Sequence, residues 1–294
     1  MNKLKSMKVI SLYTGAGGLD LGLEAAGFDT AVAVEMDDDA VKTLRHNRDW
    51  RIIHADVHSE QASSANILKA AGLGVGEATL LCGGPPCQPF SKSGYWNTGD
   101  SKRLNDPRAK TLNAYLRVLR DTMPEVFLLE NVPGMAFSDK SEGLQLLKKE
   151  IAKINKECGT KYTFAAKQLN AAEYGVPQVR ERVFVVGHRD GKKFDFPKPT
   201  NGLPPRRKWD DEVDTAAGYS IPEGMLPAAT AWDAIGHLDV GSDPALAPRG
   251  KWADLLPSIP EGHNYLHHTD RGKGLSLFGW RTRYSSMLLK LAKN

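Results

Sequence analysis

Short apolar runs alternate with helix-length segments through the first half of the chain, and this alternation restricts the fold more than any other feature. Strands that are joined by helical crossovers form parallel sheets with helices on both faces. We therefore predict an α/β fold with a mostly parallel, doubly wound sheet. Its predicted strands are residues 8–13, 30–34, 51–54, 78–82 and 126–129, and its predicted helices are residues 19–26, 38–48 and 107–123.

Composition and cysteine usage exclude several classes of protein. The 294 residues are 41% hydrophobic and 25% charged, which is typical of folded globular chains. No stretch approaches the roughly 20 apolar residues that cross a bilayer, and the N-terminus lacks a secretory pattern, so we expect no membrane contact. Cys82, Cys87 and Cys158 are too few for a disulfide framework and have no nearby histidine pair for zinc. This usage favours the reducing cytoplasm and no bound metal.

Polar residues follow the predicted strands at the edge where doubly wound sheets bind their ligands. A glycine-rich turn at residues 15–18 allows a ligand close to the backbone. Glu35 follows the second strand, where an acid can accept hydrogen bonds from both hydroxyls of a ribose, and Asp56 follows the third, within reach of an adenine amino group. Together they predict an adenosine without a phosphate on its ribose. The alternative for the glycine-rich segment is a tight turn that binds no ligand. The alternative for Glu35 and Asp56 is that both are solvated loop acids.

Three further fragments carry candidate chemistry. Cys87 lies among prolines on a stiff loop after the fourth strand, although most lone cysteines are inert. Glu130 ends the fifth apolar run, where a carboxylic acid suits a proton donor. A strand is predicted to begin at Gln178, and its alternation directs Gln178, Arg180 and Arg182 to one side.

The segments SLYTGAGGLDLGLEAAGF, GGPPCQPFS, ENV and QVRER, in this order, resemble the DNA (cytosine-5) methyltransferases of bacterial restriction–modification systems. The resemblance covers about residues 8–188. It implies the Rossmann-like fold of methyltransferases that use S-adenosylmethionine (SAM). It also implies double-stranded DNA as the substrate, with the target cytosine flipped out of the duplex.

The resemblance also implies a role for each matching residue. Cys87 attacks carbon 6 of cytosine, Glu130 hydrogen-bonds or protonates ring nitrogen 3, Arg182 contacts the base carbonyl oxygen, and Arg180 helps hold the loop. The implied cofactor-binding residues are Tyr13, Gly15, Gly17, Gly18, Leu19, Glu35, Met36, Asp56, Val57 and Pro86. The implied loop residues that meet DNA are Gln88, Ser91 and Ser93, and Asp106 and Arg108 match a further motif near the adenosine.

Two positions near the glycine turn depart from the family. Tyr13 occupies a position where phenylalanine is usual, and Ser11 occupies one where aspartate is common. We expect neither difference to abolish cofactor binding.

The C-terminal part differs from the family more seriously. We predict a catalytic domain at 1–189, a linker at 190–214 and a partial target recognition region at 215–294. Residues 270–294 carry six basic residues against one acid, interleaved with aromatics, and suggest DNA contacts at Arg281 and Arg283.

The family's closing motif, Gly-Asn-x-Val-Pro, does not occur after Gly187. We therefore expect weak activity from this chain alone, with a separate C-terminal polypeptide as one source of the motif. The alternatives are a catalytically silent DNA-binding or regulatory fragment, the N-terminal portion of a split enzyme that needs a separate C-terminal chain, and the tRNA-methylating branch of the family. The recognised DNA sequence is not readable from the chain.

Overall fold

The chain folds as two units, of which the first contains Met1–Asn170 and Arg180–Lys198 and the second contains Ala171–Val179 and Pro199–Asn294. The computed structural model describes residues 6–86, 110–135, 142–203, 221–238, 253–259 and 268. The strands of the first unit are β1 (Met7–Leu12), β2 (Phe28–Glu35), β3 (Ile52–His54), β4 (Leu80–Gly83), β5 (Val126–Asn131), β6 (Thr163–Asn170) and β7 (Glu181–His188). Its helices are α1 (Gly18–Ala25), α2 (Asp38–Asn47), α3 (Ser64–Ala71), α4 (Lys110–Thr122) and α5 (Glu142–Cys158).

These strands form one sheet in the order β3-β2-β1-β4-β5-β7-β6. The first five strands of this order pair in parallel, and β7 is antiparallel to both β5 and β6. In this order, β2 lies on one side of β1 and β4 lies on its other side. The topological switch point therefore lies between β1 and β4, where the carboxyl ends of doubly wound sheets open a ligand-binding crevice.

The core follows the alternation of side chains along the central strands. Leu81 of β4 and Phe127 of β5 belong to a large apolar cluster, which the helices α3, α4 and α5 cover. Their neighbours Cys82 and Leu128 belong to a smaller cluster on the opposite face, beside α1. Helices therefore pack on both faces, as the predicted fold class requires.

The predicted mostly parallel α/β sheet is confirmed, with small shifts in its element bounds. The segments α3, α5 and β6 are additions that the sequence analysis did not predict. Strand β6 (TFAAKQLN) lies at the edge of the sheet, and most of its residues are half-buried or exposed. An edge strand of this kind carries a weak hydrophobic alternation, which explains why periodicity alone did not identify it.

The predicted start of β7 at Gln178 is wrong, because the strand begins at Glu181. The backbone N–H of Gln178 donates to the carbonyl of Val176 at 2.7 Å, so the chain turns tightly there. Pro177 within that turn has no N–H to donate to a ladder. The shared side predicted for Gln178, Arg180 and Arg182 therefore does not exist, since only Arg182 lies in the strand.

The second unit contains short elements around Asn201. This residue forms a parallel bridge with Leu226, and its side-chain amide donates to the carbonyl of Pro227 at 2.7 Å. The five-residue helix α6 (Ala231–Ile235) starts with a capping box between Thr230 and Asp233. The roles assigned to 190–214 and 215–294 stay predictions. In the part of the chain that the structure describes, no helix is long and apolar enough to span a membrane.

Candidate active site

The loop after β1 forms the centre of the carboxyl edge, and three of its residues have left-handed backbone conformations. Tyr13, Gly15 and Gly17 have φ angles of 55°, 57° and 88°. At Gly17 an added Cβ would lie 3.0 Å from Leu44 Cδ2 and 3.2 Å from Trp50 Cζ3. At Gly18, where α1 begins, an added Cβ would meet nothing within 4 Å. Gly17 is therefore favoured by its left-handed backbone and by close packing against Leu44 and Trp50, whereas Gly18 borders open space.

A buried acid lies beneath this loop. Asp20 is fully buried, and its carboxylate accepts hydrogen bonds from the hydroxyls of Ser11 (2.9 Å) and Thr30 (3.3 Å). Burial raises the pKa of Asp20 above its usual value, and the two hydroxyls oppose this shift. An aspartate at position 11 would face the Asp20 carboxyl. The serine at this position is therefore matched to Asp20, which explains one of the two departures from the family.

Glu35 ends β2 with its carboxylate held by three backbone N–H groups. Its Oε2 accepts from Gly15 (2.7 Å), and its Oε1 accepts from Met36 (2.8 Å) and Asp37 (2.9 Å). The residue is 9% exposed. A carboxylate offers about four acceptor positions, so about one is left for a hydroxyl of a ligand. The three backbone donors therefore hold the carboxylate in one orientation.

The remaining predicted cofactor residues lie on the same edge or beneath it. Asp56 is exposed after β3, and its Oδ1 accepts from the backbone N–H of His58 at 2.8 Å. Val57 is buried, and Arg117 of α4 donates to its carbonyl at 2.7 Å. Met36 is 63% exposed, whereas Leu19 packs against the smaller core cluster.

The other half of the edge holds an ion pair between adjacent strands. Arg182 Nε lies 3.0 Å from Glu130 Oε1, and the two side chains are 24% and 26% exposed. The pair forms because Asn131 of β5 is opposite Val183 of β7, which brings Glu130 and Arg182 to the same end of the two strands. An added Cβ at Gly84 would lie 3.1 Å from Glu130 Oε2, so this glycine lets the loop after β4 approach the acid.

Two side chains anchor the peptide that leads to Cys87. The Asn131 amide donates to the carbonyl of Pro85 at 3.2 Å, and the Thr111 hydroxyl donates to the carbonyl of Pro86 at 3.0 Å. Neither residue was assigned a role from the sequence. The ENV segment carries a signal for Asn131, because a polar residue at the carboxyl end of a buried strand lies at the ligand-binding edge. Thr111 lies in a helix with no distinguishing pattern.

Several predicted site residues lie elsewhere or outside the described part of the chain. The Arg180 side chain is exposed, and its backbone N–H donates to Asn170 Oδ1 at 3.2 Å. The predicted residues that lie outside the described ranges are Cys87, Gln88, Ser91, Ser93, Asp106, Arg108, Arg281 and Arg283.

The fold and the residues at the carboxyl edge of the sheet together define a class of protein. The glycine turn at the switch point and the fixed acid of β2 are typical of doubly wound α/β enzymes that bind a nucleotide-like ligand. The ion pair of Glu130 and Arg182, next to an anchored loop, adds a group that can hold or transfer a proton.

Comparison with known proteins gives the family. The C-5 cytosine-specific DNA methylases match residues 7–224, and the chain belongs to this family of DNA-modifying methyltransferases. It is 38% identical to the type II methyltransferase M.SacI of Streptomyces achromogenes over 297 residues, which cover 97% of this chain and 71% of that protein. The corresponding identity to the type II methyltransferase M.AquIA of Picosynechococcus sp. is 41% over 241 residues, or 81% of this chain and 91% of that protein.

A solved structure also resembles the chain. The Entamoeba histolytica methyltransferase EhMeth has a TM-score of 0.48 and 23% identity, over 66% of this chain and 57% of that one.

Proposed function

We propose that this chain transfers a methyl group from SAM to carbon 5 of a flipped-out cytosine in double-stranded DNA, through a covalent bond to Cys87. The main support is the ion pair of Glu130 and Arg182 beside the peptide that leads to Cys87. Family membership supplies the substrate class. A DNA substrate and reduced cysteines suit the cytoplasm.

The chemistry needs a nucleophile and an acid together, because carbon 5 of cytosine is a poor nucleophile. The Cys87 thiolate forms a bond to carbon 6, and the electron pair of the 5,6 double bond moves onto the ring. When the base enters, Arg182 donates to the base carbonyl oxygen, and the Glu130 carboxylate takes up a proton from solvent and donates it to ring nitrogen 3, so both residues offset the arriving charge. Carbon 5 is then a nucleophile that would take the methyl group when SAM is bound, with S-adenosylhomocysteine as the product. Loss of the carbon 5 proton to water restores the 5,6 double bond and expels the Cys87 sulfur as a thiolate, and ring nitrogen 3 returns its proton to Glu130.

The residues that follow β1, β2 and β3 at the carboxyl edge of the sheet fit SAM as the methyl donor. When it is bound, SAM supplies the methyl group as an electrophile on a sulfonium sulfur. The open space beside Gly18 admits its methionine part, the free acceptor position of Glu35 suits a ribose hydroxyl, and Asp56 is exposed toward solvent for the adenine amino group. Tyr13 and Met36 supply apolar surface for the adenine, whereas Val57, also assigned to this site, is buried in the core beside it.

Replacing Glu35 by glutamine is expected to weaken SAM binding by about 1.5–3 kcal/mol, the usual contribution of a hydrogen bond to a charged group. This change corresponds to roughly 10- to 150-fold in Kd. The amide cannot accept on both of its ends, so it loses either a backbone partner or the ribose hydroxyl. Isothermal calorimetry measures the effect. The matched control is Asp39→Asn, on a side chain that is 90% exposed in the same region. Equal SAM affinity of the two variants would contradict the role of Glu35.

We further propose that the DNA contacts are made by Gln88, Ser91, Ser93, Arg281 and Arg283, and that a further C-terminal polypeptide completes the enzyme. The matched segment is 71% of the length of M.SacI, so longer relatives exist, whereas M.AquIA is matched over 91% of its length.

An assay with labelled SAM and mixed-sequence DNA tests the proposed activity. We expect weak or no methyl transfer by residues 1–294 alone and site-specific methylation of cytosine after addition of a polypeptide that carries the family's Gly-Asn-x-Val-Pro motif. Robust methylation by this chain alone would contradict the need for a second polypeptide. Methylation of no cytosine under either condition would contradict the proposed function.

A further inference from the structure

Two hydrogen bonds in series connect the loop after β1 to the peptide that leads to Cys87. The Tyr13 hydroxyl donates to the backbone carbonyl of Thr111 at 2.9 Å. The hydroxyl of the same Thr111 donates to the carbonyl of Pro86 at 3.0 Å. Thr111 lies in the first turn of α4, so this helix end bridges the two loops. The series joins three segments that are distant in the sequence.

The Tyr13 end of this series is a fixed donor. The side chain is half-buried, and burial together with the charge of Asp56 raises its pKa above the usual tyrosine range, so the hydroxyl keeps its proton. The backbone of Tyr13 has a φ of 55°, which L-residues adopt only when their surroundings hold them there. Phenylalanine, which is usual here in the family, has the same ring without the donor.

We propose that the hydroxyls of Tyr13 and Thr111 are positioning groups that couple occupancy of the cofactor site to the reactivity of the Cys87 thiol. The coupling acts through the hydrogen bonds and the backbone. The carbonyl carbon of Pro86 is bonded to the nitrogen of Cys87 through a planar peptide, so a hydrogen bond to the Pro86 carbonyl restrains the plane of the peptide bond that leads to Cys87. The proposal rests on the proposed function, since Tyr13 lies on the loop that is assigned to SAM.

The test measures how fast iodoacetamide alkylates Cys87, with and without saturating S-adenosylhomocysteine. Mass spectrometry of peptides separates Cys87 from Cys158, which serves as an internal reference within the same chain. The variants are Tyr13→Phe, Thr111→Val and the double variant. The matched control is Tyr162→Phe, which also removes a buried hydroxyl that donates to a backbone carbonyl, that of Pro124. Calorimetry on the same samples reports S-adenosylhomocysteine binding separately.

In the wild type and in Tyr162→Phe, the ligand is expected to change the Cys87 alkylation rate by at least about fivefold, the lower end of ordinary coupling between two sites. In Tyr13→Phe and Thr111→Val this response is lost, and the double variant behaves like either single variant because both groups lie in one series. Each variant is compared at a concentration of S-adenosylhomocysteine that calorimetry shows to be saturating for that variant, so a change in ligand affinity does not enter the comparison.

Three results would overturn the coupling. One is a wild-type rate that does not respond to the bound ligand, and another is a Tyr13→Phe variant that responds like the wild type, as steric shielding alone predicts. In both cases, calorimetric binding of the ligand leaves the proposed function standing. The third is a wild type that does not bind S-adenosylhomocysteine, which contradicts the cofactor assignment together with the coupling.

Discussion

Replacing Cys87 by serine is expected to lower methyl transfer by at least about a thousandfold, because removal of a covalent nucleophile leaves only binding and positioning to accelerate the reaction. A hydroxyl at this position is neither ionised near neutral pH nor comparably nucleophilic. SAM affinity should stay unchanged, since the thiolate acts on the base and not on the cofactor. The measurement is single-turnover methylation by the completed enzyme, with calorimetry for SAM.

The control for this substitution is Cys158→Ser, at a half-buried cysteine whose Sγ lies 3.9 Å from the carbonyl oxygen of Arg120. It should leave the methylation rate unchanged. DNA that contains 5-fluorocytosine adds a second readout, because the fluorine cannot leave and the Cys87 adduct persists. A wild-type enzyme that methylates DNA but never forms this adduct would contradict covalent catalysis. So would a Cys87→Ser variant with the wild-type rate.

Replacing Glu130 by glutamine is expected to slow the chemical step by about 10²–10⁴-fold, the usual contribution of a positioned acid or base. The amide has nearly the same shape but is too weak an acid to transfer a proton to ring nitrogen 3, and it carries no charge for the ion pair with Arg182, 3.0 Å away. SAM affinity should remain within the range of the wild type, because Glu130 lies in the β4–β5–β7 half of the edge. A rapid-quench assay at saturating SAM separates this rate from binding.

Glu125→Gln is the matched control, because Glu125 directly precedes β5 and faces His188 of β7 at 3.5 Å. This variant makes the same Glu-to-Gln change beside β5 and β7, at the end of these strands that lies opposite to Glu130. Folding stability should change little in both variants, since partly exposed ion pairs contribute about 0–1 kcal/mol. If Glu130→Gln methylated DNA as fast as Glu125→Gln, Glu130 would not be the acid of the reaction.

Much of the parallel half of the sheet can be predicted from the sequence, because it depends on local signals. The apolar runs of β1, β2 and β4 are short and bounded by turns, and α2 begins where Asp37 caps the N–H of Ala40. Glu35 and Asp56 were predicted at the ligand edge because parallel strands all end there. These inferences need no knowledge of which strands are neighbours.

The antiparallel end of the sheet depends on contacts that periodicity does not encode. The tight turn at residues 176–178 delays the start of β7 to Glu181, which separates Arg180 from Arg182 despite their alternation. Only the register of β7 against β5 brings Arg182 to Glu130.

The sequence by itself therefore determined the α/β class, the motif residues and the family resemblance, because each of these resides in short, contiguous segments. Only the tertiary structure decided how the two halves of the edge are joined. Asn131 reaches Pro85 across 46 residues, Thr111 reaches Pro86 across 25, and Tyr13 reaches Thr111 across 98. Side chains so far apart in the chain become neighbours only when the sheet order and the packing of α4 are fixed. The physical reason is that a hydrogen bond depends on distance and direction in space, which a local pattern of residue types does not specify.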